Sequence, residues 1–219
     1  MRRNGDAGKS KLATLPELPI GIAEAHAKRA PNMAVSSMKQ TENLMTAEEL
    51  ERLDIPGKST ELIRGHLVVR EPPGTRHGII AATLCYFITD FVRRNQLGVV
   101  SAQDTGFKIE TNPDTVRAPD VAYLSKDRMG AVARRGYAAV TPDLVAEIVS
   151  PDDRPGELLA KVAAWLEAGA TLAWVIDPDR AEARVYRPDG SIATIGIEGS
   201  IEGEDVLPGF SCPLREILS

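Results

Sequence analysis

The sequence predicts an α/β (α+β) fold with a central mixed β-sheet flanked by helices. Two segments carry helical periodicity, "RHGIIAATLCYFITDFVRRNQLG" and "RPGELLAKVAAWLEAG". The apolar runs "DLVAEIV" and "TLAWVID", which have the length of buried strands, stand on either side of the second helix. This order of helix, strands, helix and strand is typical of a sheet covered by helices on its faces.

The bulk composition fits one soluble domain with additions. The chain has 219 residues, of which 43% are hydrophobic and 26% charged, an ordinary globular balance. We expect no membrane partner, because no apolar run approaches the roughly 18 residues that a membrane helix needs. The two cysteines, Cys85 and Cys212, lack metal-ligand spacing, and the N-terminus lacks the apolar core of a secretory signal. A cytoplasmic location is therefore expected.

Charged residues and regular sequence patterns are distributed unevenly along the chain. The net charge of −5 argues against coating nucleic acid by bulk electrostatics, but it leaves room for a local basic groove. Residues 1–43 mix Gly, Pro, Ala, Ser and Lys without a sustained period, which predicts a flexible N-terminal extension. Residues 44–219 are predicted to form the folded domain. A later natural start, at Met33, Met38 or Met45, is the alternative reading.

The first predicted elements form a helix and a pair of strands. "MTAEELERLD" begins a short helix, because Thr46 and Glu49 have capping-box spacing. "STELIRGHLVVREP" predicts two strands around a turn at Arg64-Gly65. The long helix follows, with apolar residues at helical spacing and Gly98 as its stop.

Further strands are expected on both sides of the second helix. "VVSAQDTGFKIE" predicts one or two strands, "TNPDTVRAP" a turn-rich loop and "DVAYLS" a strand. Residues 126–142 read as an irregular, partly basic connection. After "TLAWVIDPD", the segment "AEARVYRPDGSIATIG" predicts a C-terminal β-hairpin with Pro-Asp-Gly at its turn. A last strand and a short helix complete the chain.

Glu147 is out of place in its apolar strand. An isolated ionised carboxylate would be very costly there, so this side chain must be neutral, paired or bound to a metal. One alternative is a buried salt bridge with Lys161 or with an arginine.

Three other charged residues are candidates for the same site. Asp120 follows Pro119 at the start of a strand, Lys161 lies beside the apolar face of the second helix, and Glu61 opens the strand "ELI". Carboxylates at the ends of adjacent strands can share Mg²⁺, and a nearby lysine can position a water or neutralise charge on a phosphate. These groups together suit metal-assisted phosphodiester hydrolysis.

Each candidate also has a structural alternative. Asp120 could be an ordinary residue at the start of a strand. Lys161 could form a surface pair with Glu157, worth about 0.3–0.5 kcal/mol. Glu61 could be a solvated residue at a strand end.

An ordered set of motifs resembles the PD-(D/E)xK nuclease superfamily, and more narrowly the Uma-type bacterial endonucleases. The resemblance covers about residues 45–215. Its motifs are Glu61-Leu62-Ile63-Arg64-Gly65, His77, Pro119-Asp120, Glu147-Ile148-Val149-Ser150-Pro151, Lys161 and Trp174-Val175-Ile176-Asp177-Pro178. One departure from the superfamily is Val149, which stands where the usual lysine would be. The resemblance implies that this lysine has moved to the following helix, as Lys161.

The resemblance implies a restriction-endonuclease-like fold and a DNA phosphodiesterase that uses Mg²⁺, with Mn²⁺ as a substitute. Asp120 and Glu147 would hold the ion. Lys161 would orient the attacking water and stabilise charge, and Glu61 would hold a second ion or tune the first. A homodimer is compatible with DNA as the partner, because cutting both strands usually needs two active sites.

Some residues and functions stay open at the level of sequence. His77 reads as a capping or packing residue, or as a ligand. Arg128, Arg134 and Arg135 contact DNA phosphates or lie in a solvated loop. The competing functions are a non-catalytic nucleic-acid-binding or protein-interaction module on the same fold and a phosphoesterase acting on a small nucleotide.

Overall fold

A computed structural model of the protein describes residues 44–131 and 134–219. The predicted extension over residues 1–43 lies outside the described residues. The elements, in chain order, are α1 (Ala47–Glu51), β1 (Ser59–Ile63), β2 (His66–Arg70), α2 (Thr75–Arg94), β3 (Gly98–Ala102), β4 (Phe107–Glu110), β5 (Thr115–Arg117), β6 (Val121–Ser125), α3 (Lys126–Met129), β7 (Leu144–Ile148), α4 (Pro155–Glu167), β8 (Leu172–Asp177), β9 (Glu182–Tyr186), β10 (Ile192–Gly196), β11 (Ser200–Glu202), β12 (Ser211–Pro213) and α5 (Leu214–Leu218).

The central sheet has six strands in the order β10-β9-β8-β7-β6-β3. β7 and β8 run parallel and are joined through α4, while the other neighbouring strands are antiparallel. This mixed sheet with flanking helices confirms the predicted fold class.

The strand β7 shows how the two faces of the sheet are divided. Alternate residues point to opposite faces of a strand. Leu144, Ala146 and Ile148 pack into the core that contains the buried residues of α2. Val145 packs into the second core, with Trp165 of α4. Alternation therefore places Glu147 on the α4 face, among apolar neighbours.

A second, smaller sheet has the strand order β2-β1-β5-β4. It contains the predicted hairpin of β1 and β2, whose turn residues Arg64 and Gly65 have φ values of 49° and 81°. A two-residue turn with positive φ at both positions matches the twist of the flanking strands. The helix α1 begins with the predicted capping box of Thr46 and Glu49.

Two local predictions were wrong. The short helix α3 forms within residues 126–142, which were expected to be irregular. The segment "TNPDTVRAP" was expected to be a loop, yet its residues 115–117 form β5, which pairs with both β1 and β4. All three residues of β5 are buried. The stabilising contacts come from strands distant in sequence, and the Pro- and Asn-rich local pattern carries no sign of them. Because β5 leads through residues 118–120 into β6, it joins the small sheet to the central one.

The C-terminal segments complete the core. The strands β9 and β10 form the predicted hairpin, β11 pairs with β12, and α5 follows directly. Trp174 of β8 stacks on Phe210 between β11 and β12, at a ring-centroid distance of 5.8 Å. Within the described part of the chain, no helix has both the length and the apolar content needed to span a bilayer.

Candidate active site

The four charged residues singled out from the sequence line one cleft of about 800 Å³, with Glu61, Asp120, Glu147 and Lys161 together in its wall. Each comes from a different part of the fold. Glu61 belongs to β1 of the small sheet, Asp120 precedes β6, Glu147 lies in β7, and Lys161 lies in α4. The structure therefore brings together residues up to 100 positions apart at the junction of the two sheets.

Lys161 lies at the centre of the cluster. Its Nζ is 2.8 Å from Oε2 of Glu147 and 3.2 Å from Oε1 of Glu61, and it donates to the carbonyl oxygen of Ala118 over 2.8 Å. Burial alone would lower the pKa of Lys161, but the carboxylates of Glu147 and Glu61 outweigh it and hold that pKa above its usual range. Lys161 is therefore a cation that is hydrogen-bonded to Glu147 and Ala118 and paired with Glu61.

Glu147 is bound by two side chains of α4. Its Oε2 faces Lys161, and its Oε1 accepts a hydrogen bond of 3.0 Å from Nε1 of Trp165. Because Lys161 and Trp165 are four residues apart, they project from the same face of the helix. Burial raises the pKa of Glu147 to about 7, with Lys161 opposing the rise and the Asp120 carboxylate adding to it. The buried salt bridge that the sequence left open as an alternative is thus present.

Glu61 is buried, so it is not a solvated residue at a strand end. Its Oε2 accepts a hydrogen bond of 3.0 Å from Arg117, and its Oε1 accepts the backbone N–H of Ala118 over 3.0 Å. Burial raises the pKa of Glu61, but Lys161 and then Arg117 outweigh it, so the pKa lies below its usual value. Glu61 therefore fastens the small sheet to the segment that immediately precedes Asp120.

Asp120 is held by the backbone and by two polar side chains. Its Oδ2 accepts the N–H of Ile148 over 2.7 Å and lies 3.2 Å from Nε2 of His77. Its Oδ1 accepts from Nε2 of Gln103 over 3.2 Å. Burial raises the pKa of Asp120, but the contact with His77 and the Ile148 N–H outweigh it and leave the pKa lowered. Asp120 is therefore an anion facing the cleft.

His77 is buried at the start of α2 and joins this network. Its Nδ1 is 3.0 Å from the amide nitrogen Nε2 of Gln103, while its Nε2 faces Asp120. An Nδ1 that accepts from the Gln103 amide leaves the ring proton on Nε2, where it can be donated to Asp120. His77 thus contacts the site as a partner of Asp120, beyond the capping or packing role that the sequence favoured.

Several contacts in the site were missed from the sequence. Arg117, Gln103 and the indole N–H of Trp165 each bond one of the candidate carboxylates. Arg117 could have been noticed as a charged residue just before Pro119-Asp120, but nothing local singles out Gln103. Among the loop arginines, Arg128 donates to the carbonyls of Thr141 and Gly169 and pairs with Asp143. That role is structural, and phosphate contacts of the other two loop arginines stay a prediction.

The carboxylate oxygens in the cleft are ligands that fit a hard divalent cation. Mg²⁺ prefers oxygen ligands and is commonly bound through one or two carboxylates while it keeps several waters. Asp120 and Glu147 supply such oxygens in one cleft, and the Asp120 side chain is the more accessible, at 17% exposed against 5% for Glu147. In residues 44–131 and 134–219, no three His, Cys, Asp or Glu side chains are grouped as a ready-made metal site. The metal-ligand roles of Asp120, Glu147 and Glu61 stay predictions.

The mixed sheet, with an aspartate before one central strand, a glutamate in the next and a lysine on the following helix, defines a restriction-endonuclease-like fold. Comparison with known families narrows this class. The chain belongs to the Uma2 family, described as "Putative restriction endonuclease", whose sequence model matches residues 47–215. The family resemblance drawn from the sequence motifs is confirmed.

A solved structure supports the fold. The chain is similar to a crystal structure described as a putative nuclease belonging to DUF820 from Anabaena variabilis, with a TM-score of 0.69 and 20% sequence identity. The similarity covers 80% of this chain and 97% of that one. A comparison with curated proteins finds no match.

Proposed function

We propose that the protein is a Mg²⁺-dependent endonuclease that hydrolyses phosphodiester bonds of DNA. The observation that carries this proposal is the convergence of Asp120, Glu147 and Lys161 in one cleft. Two hard-oxygen donors beside a cation suit a metal ion and a phosphate better than they suit a purely structural role, because buried ion pairs seldom improve stability over apolar packing. Membership of the Uma2 family, described as "Putative restriction endonuclease", supports the same class of reaction.

Asp120 and Glu147 would hold the cation, with Mn²⁺ as a substitute for Mg²⁺. When bound, such an ion lowers the pKa of a coordinated water and polarises a phosphoryl oxygen. The bond from Ile148 and the contacts with His77 and Gln103 keep the Asp120 carboxylate charged and fixed in direction. This preorganisation matters because a ligand that is already oriented does not have to be ordered when the ion binds.

Lys161 would act as a cation and not as a base. Its pKa is held above the usual range, so it keeps its proton at neutral pH. A positive charge that the fold already holds in position stabilises negative charge that develops on a phosphate during hydrolysis. Glu61 would position Lys161 through their contact of 3.2 Å and would keep Ala118 in place through its backbone N–H.

One observation favours a second candidate, a non-catalytic nucleic-acid-binding module on the same fold. Both carboxylate oxygens of Glu147 are bonded to Lys161 and Trp165, so this acid is satisfied by protein groups alone. A module of this kind would retain the cluster as a structural junction between the two sheets and would bind nucleic acid without cleaving it.

The deciding experiment incubates the full chain with supercoiled plasmid and with single-stranded DNA, with Mg²⁺ or Mn²⁺ and with or without a chelator. The proposal expects metal-dependent nicking that is lost in Asp120→Asn and Lys161→Ala. Asp152→Asn serves as the matched control, because Asp152 is an exposed carboxylate in the same cleft. Salt-dependent DNA binding without cleavage by the wild-type protein would establish the module instead.

A further inference from the structure

Arg70 places its guanidinium group in the cleft, and the hydrogen-bond donors of this guanidinium are unused. It lies at the end of β2 and lines the same cleft as Glu61 and Lys161. Its Nε is 3.8 Å from Oε2 of Glu61, and its Nη2 is 3.9 Å from Oε2 of Glu157. Both distances exceed those of hydrogen bonds. The Nε atom is buried and has no hydrogen-bond partner among the described residues.

The strand register fixes Arg70 at this position. Glu61 of β1 pairs with Val68 of β2, and Arg70 lies two residues further along the same strand. Since side chains two residues apart share a face, Arg70 and Glu61 lie diagonally on one side of the small sheet. The guanidinium is therefore carried by a hydrogen-bonded hairpin and not by a mobile loop.

The other cations in the described wall of the cleft are already paired. Lys58 forms an ion pair with Glu71, and Lys161 donates to Ala118 and Glu147 and is paired with Glu61. Among these three cations, only Arg70 has a buried donor atom without a hydrogen-bond partner in the described residues, and its side chain is 35% exposed. A buried N–H without a partner is unfavourable, which indicates a partner that the protein itself does not supply.

We propose that Arg70 forms an anion subsite that binds a non-bridging phosphate oxygen of the substrate strand, at or next to the bond that is cleaved. This inference rests on the proposed nuclease function and assigns that function a phosphate-binding residue. A guanidinium suits this role, because its planar fork can donate two parallel hydrogen bonds to one phosphate. Binding would give the guanidinium hydrogen-bond partners that the protein does not supply, and the positive charge of Arg70 would offset part of the repulsion between a polyanion and the carboxylates of the cleft.

The test compares Arg70→Ala and Arg70→Lys with the wild type and with Arg154→Ala. Arg154 is a matched control, since it also contacts Glu157, but it is 83% exposed and does not line the cleft. The first readout is the affinity for a labelled oligonucleotide in chelator, measured by fluorescence anisotropy at several salt concentrations. The second readout is kcat/KM for cleavage with Mg²⁺. Urea unfolding of each variant verifies that the fold is retained.

We expect Arg70→Ala to weaken oligonucleotide binding by about 10- to 100-fold. The slope of log affinity against log salt concentration should fall by the equivalent of about one phosphate contact. Arg70→Lys should recover only part of the affinity, because an ammonium is a point charge without the fork. Arg154→Ala should stay within about threefold of the wild type, as expected for a loosely held rim charge. If Arg70 had only a structural role, a folded Arg70 variant would show the same salt dependence of binding as the wild type.

The outcomes separate this inference from the function on which it rests. A wild-type protein that cleaves DNA, with Arg70→Ala behaving like Arg154→Ala, overturns the anion subsite and leaves the nuclease intact. A wild-type protein that neither binds nor cleaves DNA removes the proposed function. An added arm uses inorganic phosphate as a competitor. Competition at low millimolar phosphate, with no oligonucleotide binding, would show a subsite for a small anion and would overturn the assignment to a nucleic-acid strand.

Discussion

The backbone N–H of Ile148 donates to Oδ2 of Asp120 over 2.7 Å, and this bond ties the two candidate metal ligands together. Ile148 immediately follows Glu147 in β7, and Asp120 immediately precedes β6. The two strands are antiparallel neighbours, with Val121 opposite Ala146, and the N–H of Asp120 donates to the carbonyl of Ala146. The relative position of the two acids is thus set by a strand ladder.

The first prediction concerns Asp120→Asn. The amide oxygen can still accept from Ile148, so the fold is retained, but the charge that would attract a cation is gone. Because loss of an outer-shell partner alone costs a metal site about 10- to 100-fold in affinity, we expect loss of this ligand to cost Mg²⁺ affinity at least about 100-fold. Isothermal titration calorimetry with Mg²⁺ and with Mn²⁺ measures the affinity of each variant for the ion.

Two comparison variants make this result interpretable. Asp152→Asn should bind the ion like the wild type, because Asp152 lies exposed on the rim. Asp120→Ala should lower the free energy of unfolding by about 1–3 kcal/mol, because it leaves the Ile148 N–H unpaired. Unchanged ion binding in Asp120→Asn would contradict its role as a ligand.

The second prediction concerns Lys161→Met. It leaves Glu147 and Glu61 buried in one cluster without their shared cation, and loss of one partner of a buried pair costs about 3–5 kcal/mol. Part of this loss should return in the double variant with Glu147→Gln, which removes the uncompensated charge. Urea unfolding at pH 7 measures each value. Lys58→Met is the control, since the Lys58–Glu71 pair is solvent-exposed and should cost under about 1 kcal/mol. Equal costs for the two lysines would refute the central position of Lys161.

Much of the fold could be predicted because its signals are local. Helical periodicity located α2 and α4, the capping box located α1, and the Arg64-Gly65 pair located the first hairpin turn. Glu147 could be singled out because a charged residue in an apolar strand conflicts with its surroundings. Asp120 and Lys161 needed the ordered motif set, because each alone fits an ordinary structural role.

What the sequence could not reveal depends on long-range pairing. The strand β5 was expected to be a loop, since only its contacts with β1 and β4 stabilise its extended form. Gln103 reaches Asp120 because β3 pairs with β6, where Ala102 lies opposite Val121. Arg70 approaches Glu61 through strand register, although the two residues are nine positions apart in the sequence. Such contacts follow from topology and not from residue pattern.

The third prediction compares Trp165→Phe with Trp174→Phe. Both indoles are fully buried, so both substitutions remove similar apolar volume. Nε1 of Trp165 donates to Glu147, whereas Nε1 of Trp174 has no partner among the described residues. A hydrogen bond to a charged group contributes about 1.5–3 kcal/mol, so Trp165→Phe should be the more destabilising variant by about that amount. Chemical denaturation of both variants measures the difference, and equal losses would show that the bond to Glu147 contributes nothing.

The last prediction concerns the pH dependence of stability in the metal-free protein. Burial raises the pKa of Glu147 from 4.5 to about 7, so the folded protein binds this proton more tightly than the unfolded chain does. The stability that this proton contributes is complete below about pH 4.5 and is lost as the pH rises through about 7. The free energy of unfolding of the wild type should therefore fall, relative to that of Glu147→Gln, by up to roughly 3 kcal/mol between pH 4.5 and pH 8. Urea unfolding of both proteins in chelator across this range measures the difference. A difference that stays constant or grows in the opposite direction would mean that Glu147 is already ionised in the folded protein at pH 5.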